Sequence, residues 1–123
     1  MKFNILTLFP DMFPGPLNHS ISGKALDNKK YSIKAYDIRN FSGTSNKSVD
    51  DTPFGGGAGM VMRADVLDKA LNFVKNKNEG IHTASIYLTP SGEKLDQKMI
   101  KRIVKYDNLI LLCGRYEGVD QRF

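Results

Sequence analysis

The sequence predicts an α/β fold, a mainly parallel sheet with helices on both faces, and three observations carry that expectation. Short runs of β-formers recur at 3–9, 31–36, 84–88 and 109–112. Apolar stripes at helical spacing lie between them. The resulting order is strand, helix, strand, loop, helix, strand, helix, strand, and strands separated by helices force crossover connections and hence parallel pairing. At 123 residues the chain fits one domain with a real core.

Phe3 to Phe9 closes on Pro10, which suits a first strand ending at a turn. Asp11 is expected to cap a short helical turn that Pro14-Gly15-Pro16 limits. Leu17, Ile21, Ala25 and Leu26 then recur at helical spacing, with Asn28 and Lys29-Lys30 as a C-terminal end. Tyr31 to Tyr36 alternates as a second strand. From Arg39 to Pro53 the chain turns to Ser, Asn, Asp, Thr and Gly, which reads as a long loop, mobile without ligand. It leads into four glycines, Gly55, Gly56, Gly57 and Gly59.

Arg63 to Lys77 is the clearest helix. Val66, Leu67, Ala70, Leu71 and Val74 form its apolar stripe, and Asp65 near its start and Lys75 and Lys77 near its end suit the macrodipole. Ala84 to Leu88 is a strand closing on Thr89-Pro90-Ser91-Gly92. A second helix runs from about Asp96, with Met99, Ile100, Ile103 and Val104 expected to face the core. The four branched residues Leu109 to Leu112 read as a strand buried on both faces, opening into the Gly-framed Arg115-Tyr116-Glu117-Gly118.

Composition bounds the function more than it selects one. Hydrophobic residues make up 41% and charged residues 25% of the chain, values that argue against wholesale disorder. Eighteen Lys and Arg against thirteen Asp and Glu give a net charge of +5, which suits a polyanion such as nucleic acid and equally suits plain solubility. A single cysteine excludes an internal disulfide, and two isolated histidines offer no zinc spacing, so a reducing compartment and no structural metal are expected. Cys113 has no base near it in sequence and reads as a small core hydrophobe. The N-terminus has neither a signal-peptide core nor a spanning run, so a cytoplasmic protein is expected.

Ligands in open parallel sheets bind beyond the carboxyl ends of strands, so the loops at 89–92 and 114–118 should meet at one edge. That edge is the candidate site. The Gly-rich segment lacks the Lys-Ser/Thr of a phosphate loop and the spacing of a dinucleotide loop. What its glycines do allow is close backbone approach to a flat or bulky partner. Asp50-Asp51 reads as a general base, a metal ligand or, more simply, a solvated loop pair. Arg115 and Glu117 read equally as a surface ion pair.

Four segments, ILTLFPDMF, SVDDTPFGGGAGM, IYLTPSGEKLDQ and LILLCGRYEGVDQR, together resemble the bacterial tRNA (guanine-N1)-methyltransferase family, in family order and across the whole chain. The resemblance implies a SPOUT-type α/β fold with a trefoil knot, S-adenosylmethionine held bent within it, and a homodimer whose sites use both subunits. By position it assigns Tyr87, Leu88, Thr89, Pro90 and Gly114 to the adenosine pocket, with Arg115, Tyr116, Glu117 and Gly118 beside it. Asp50 and the glycines at 55, 56, 57 and 59 would meet guanine or flanking tRNA. Thr89 stands where the family more often has serine, and Ala58 where it has proline.

Glu117 is a hypothesised charge stabiliser at guanine O6, directly or through Mg²⁺, with Asp50 and Arg115 assisting. Family members continue past Phe123 through a knot-closing loop and a helical tRNA-gripping domain that supplies the principal base. Residues 1–123 therefore read as an incomplete S-adenosylmethionine-binding domain, inactive alone. Two competing readings are a non-catalytic RNA-binding module and a bare structural fragment.

Overall fold

The computed structural model describes residues 1–43, 50–51 and 61–114. Four strands, β1 (Lys2–Thr7), β2 (Ser32–Asp37), β5 (Thr83–Leu88) and β6 (Asn108–Cys113), form one sheet in the order β2-β1-β6-β5. Every pairing in it is parallel. Between β2 and β5 a two-residue strand β3 (Asp50–Asp51) pairs antiparallel with β4 (Val61–Met62). The helices are α1 (Ser20–Asp27), α2 (Ala64–Lys77) and α3 (Gln97–Ile103).

The strand order fixes where the helices go. The steps from β1 to β2 and from β5 to β6 run in one direction across the sheet, whereas the step from β2 to β5 runs in the other. Right-handed crossovers then place α1 and α3 on one face and α2 on the opposite face, which is the expected arrangement.

The core lies on the α2 side. Leu6, Leu8, Ile110 and Leu112 pack with Val66, Leu67, Ala70 and Val74, and Ile38 and Met62 close the cluster. Asn78 ends α2 by donating its amide to the Val74 carbonyl at 2.8 Å. At the amino end of the sheet a buried polar chain crosses three strands. Asn4 Nδ2 donates to Asn108 Oδ1, Asn108 Nδ2 to Thr83 Oγ1 at 3.1 Å, and Thr83 Oγ1 to the Ile81 carbonyl at 2.8 Å. Asn108 is fully buried and satisfied at both ends of its amide.

Several expectations need correction. β1 stops at Thr7, because the Thr7 hydroxyl accepts the Phe9 N–H at 3.1 Å and turns the chain before Pro10. Asp11 lies inside the 3₁₀ turn Pro10–Met12 and caps nothing; Phe9 holds the cap position. Leu17 belongs to a separate 3₁₀ turn, Gly15–Asn18, and Ile21 is 81% exposed, so the stripe anticipated from Leu17 to Leu26 is not a core face. Gly23 is the buried residue of α1, pressed on the Asn18 carbonyl.

The segment after β2 begins with a 3₁₀ turn, Ile38–Phe41, capped by Asp37 and anchored by the fully buried Ile38, and it later contributes β3. The mobility expected of it falls largely on residues outside those described. In α3 no residue is buried, and Ile100 and Val104 are exposed where core contacts were expected. No helix among the described residues is long and apolar enough to cross a membrane.

Candidate functional site

β5 and β6 are in register, so Tyr87 pairs with Leu112 and Leu88 with Cys113, and both strands release their loops at the same edge. The two strand ends meet as the sequence anticipated, while the rest of the second loop, 115–118, lies outside the described residues. The contact between the strand ends is direct. A Cβ on Gly114 would lie 3.2 Å from Tyr87 Cε1 and 3.3 Å from its hydroxyl oxygen, so only glycine lets the phenol ring lie against the β6 exit without displacement.

Tyr87 and Leu88 remain 38% and 53% exposed, which leaves an aromatic and an aliphatic surface open beside that backbone. Beneath Tyr87, an apolar cavity of about 150 Å³ is lined by Leu6, Leu71, Ile110 and Leu112.

The turn after β5 supplies polar groups next to that apolar surface. Thr89 Oγ1 lies 3.1 Å from Ser91 Oγ, and the Gly92 N–H donates to the Thr89 carbonyl at 3.2 Å. The turn therefore holds itself in shape. Cys113, at the end of β6, is half-buried, and burial pushes its thiol pKa up. That shift opposes thiolate chemistry and agrees with its reading as a packing residue.

Sequence reasoning overlooked Arg39. Its guanidinium Nη1 donates to the Leu8 carbonyl at 2.8 Å, and its own N–H is held by the Asp37 carboxylate at 2.9 Å. Arg39 thus clips the exit of β2 to the exit of β1 at the carboxyl edge. A lone arginine in a polar segment gives no sequence signal for such a bond.

The structure sets Tyr87 against Gly114 and Leu88 opposite Cys113, with Thr89 and Pro90 following directly on β5. Asp50 is placed by its backbone in β3, opposite Met62. Gly55, Gly56, Gly57, Gly59, Arg115, Tyr116, Glu117 and Gly118 lie outside the described residues. Among the described residues no group of His, Cys, Asp and Glu could hold a metal ion.

A four-stranded parallel sheet with helices on both faces, whose β5 and β6 ends touch at the carboxyl edge, places the chain in the class of open α/β folds. Within that class, the family profile described as tRNA (Guanine-1)-methyltransferase TrmD matches residues 1–123, and the chain belongs to that family.

Among curated relatives, the tRNA (guanine-N(1)-)-methyltransferase of Rhodospirillum rubrum is 55% identical over 118 residues, covering 96% of this chain and 48% of that protein. The Ehrlichia canis protein of the same name is 45% identical over 122 residues, covering 99% of this chain and 51% of that protein. The crystal structure of tRNA (m1G37) methyltransferase from Aquifex aeolicus superposes with a TM-score of 0.83 at 33% identity, covering 99% of this chain and 54% of that one. The chain spans about half the length of the relatives it matches. The likeness to the Aquifex structure bears out the SPOUT-type fold class.

Proposed function

We propose that residues 1–123 are the S-adenosylmethionine-binding part of a methyltransferase that modifies N1 of the guanine 3′ of the anticodon in tRNA. In this reading the protein is cytoplasmic and works as a homodimer. Family membership supports the reaction class, and the single observation that carries the site is the closure of Tyr87 on Gly114. Exposed apolar surface at Tyr87 and Leu88, next to the polar Thr89 turn and a side-chain-free glycine, fits a flat purine with a polar rim.

Bound there, S-adenosylmethionine supplies an electrophilic sulfonium methyl. Tyr87, Leu88, Thr89, Pro90 and Gly114 are proposed to hold the adenosine, with Tyr116 and Gly118 beside it. Gly55, Gly56, Gly57 and Gly59 would let backbone approach the guanine. The reaction removes the N1 proton to a base, forms the N1–CH₃ bond and breaks the S–CH₃ bond, leaving S-adenosylhomocysteine. Positioning and one base then supply most of the acceleration. Glu117 would hold a Mg²⁺, which would supply positive charge to offset the anion developing at guanine O6, and Asp50 and Arg115 would assist, while the principal base would come from the part of the family that follows this stretch.

The test is to titrate the 123-residue chain with S-adenosylmethionine and with tRNA. The expected result is weak cofactor binding that Tyr87→Ala weakens further. Binding of tRNA with a steep salt dependence and no detectable cofactor binding, even at high concentration, would favour the RNA-binding module instead.

A further inference from the structure

The flank of the sheet formed by α2 and the free edge of β2 carries a surface that the proposed cofactor site does not use. Lys69, Phe73 and Lys77 recur at i, i+4 and i+8 on α2, and therefore share one face of the helix. Phe73 is 41% exposed on that face. Its ring makes a tilted contact with Phe41, centroids 5.3 Å apart, and an edge contact with Tyr36 of β2 at 6.1 Å. Lys77 Nζ stands 4.8 Å from the Phe73 centroid, and Lys34 Nζ stands 5.2 Å from that of Tyr36. At the carboxyl end of the strip, a Cβ on Gly43 would lie 3.4 Å from Lys69 Nζ, which places that ammonium beside the start of the segment leading to the Gly-rich stretch.

The strip is electrostatically unbalanced. Among the described residues the ion pairs are Arg63–Asp65 and Arg102–Glu93, and neither involves Lys34, Lys69 or Lys77. Asp65, one turn before Lys69 on the same face, is already engaged by Arg63 at 2.6 Å, and that guanidinium holds its carboxyl below the usual range. Asp37, near Tyr36, spends its carboxylate on the Arg39 N–H. Among the described residues, what remains is three ammonium groups without a carboxylate partner around an exposed aromatic ring packed on Phe41 and Tyr36. That combination, cations to follow a phosphate backbone and a ring face on which a base can stack, matches a nucleic-acid strand.

We infer that the Lys34–Tyr36–Lys69–Phe73–Lys77 strip is an RNA-docking surface, which binds phosphates of the tRNA substrate while a base stacks on Phe73. The inference rests on the proposed tRNA substrate. β2 and β5 lie at opposite edges of the sheet, three strand spacings or about 14 Å apart, so one tRNA can touch both the strip and the cofactor edge.

The experiment compares the wild-type chain with a Lys34→Ala/Lys69→Ala/Lys77→Ala variant and with Phe73→Leu, which keeps apolar packing against Phe41 but removes the ring. Each protein is titrated with tRNA between about 50 and 200 mM salt, and separately with S-adenosylmethionine. Loss of three phosphate contacts is expected to weaken tRNA binding at least about tenfold and to flatten the log–log salt slope by about 2. Phe73→Leu should weaken binding about fivefold or more while leaving the slope unchanged.

Unaltered tRNA affinity and slope in the lysine variant would overturn the inference. So would wild-type binding to anionic lipid vesicles but not to tRNA. Both results leave the cofactor assignment standing if S-adenosylmethionine still binds. Conversely, lysine-dependent tRNA binding without any cofactor binding would uphold the strip and remove the cofactor site.

Discussion

Gly114 is the residue at which geometry constrains chemistry most tightly. A methyl there meets the Tyr87 ring at 3.2 Å, closer than carbon atoms ordinarily pack, so the ring must give by a few tenths of an ångström. Gly114→Ala is expected to weaken S-adenosylmethionine binding about tenfold, equivalent to about 1.4 kcal/mol. Because the two residues touch, adding Tyr87→Ala to Gly114→Ala should cost less than the sum of the single changes. Isothermal titration of the four proteins closes the cycle, and strict additivity would show that the contact is irrelevant to the ligand. The same edge was readable in LTPSG and CGRYEG as two polar turns, but the Tyr87–Gly114 contact was not, since it depends on the register between β5 and β6.

At the scale of elements, α2 and α3 look alike in sequence and differ in the fold. Both carry apolar residues at helical spacing, yet α2 buries Val66, Leu67, Ala70 and Val74 whereas α3 buries none. Leu67→Ala should therefore destabilise the chain by about 2–5 kcal/mol. Val104→Ala, just past the end of α3 with its side chain 60% exposed, should stay within about 0.5 kcal/mol. Urea denaturation of the two variants distinguishes them, and comparable losses would contradict the burial pattern.

The strands hold a second test. Asn108→Leu removes the link between Asn4 and Thr83 and strands the Asn4 amide in a buried position, at a cost of about 1–3 kcal/mol. Asn4→Leu combined with Asn108→Leu should recover part of it, because a buried polar group without a partner costs more than an apolar pair. Equal losses in the single and double variants would argue that the polar chain adds no register or stability of its own.

For the whole molecule, the decisive comparison is between the 123-residue chain and a chimera joining it to the remaining half of the Rhodospirillum rubrum relative, of which this chain covers 48%. In the proposed mechanism the isolated chain lacks the principal base, and a missing positioned base alone costs about 10²- to 10⁴-fold. Transfer of labelled methyl from S-adenosylmethionine to tRNA is expected from the chimera and not from the isolated chain. Equal rates would place the base within residues 1–123.

By itself, the sequence determined the α/β class, the position of α2 and the four parallel strands, because periodicity and chain order are local properties that a buried stripe and a crossover rule convert into architecture. Motifs in family order likewise determined the family. Only the tertiary structure decided that Thr7 ends β1 early, that Ile21 and Val104 face outward, and that Asn4, Asn108 and Thr83 share one polar chain. It also decided that Arg39 reaches back to Leu8 and that Lys34 and Tyr36 stand beside Phe73. These facts join residues distant in the chain, and amphipathic spacing says that a face is apolar without saying whether anything covers it.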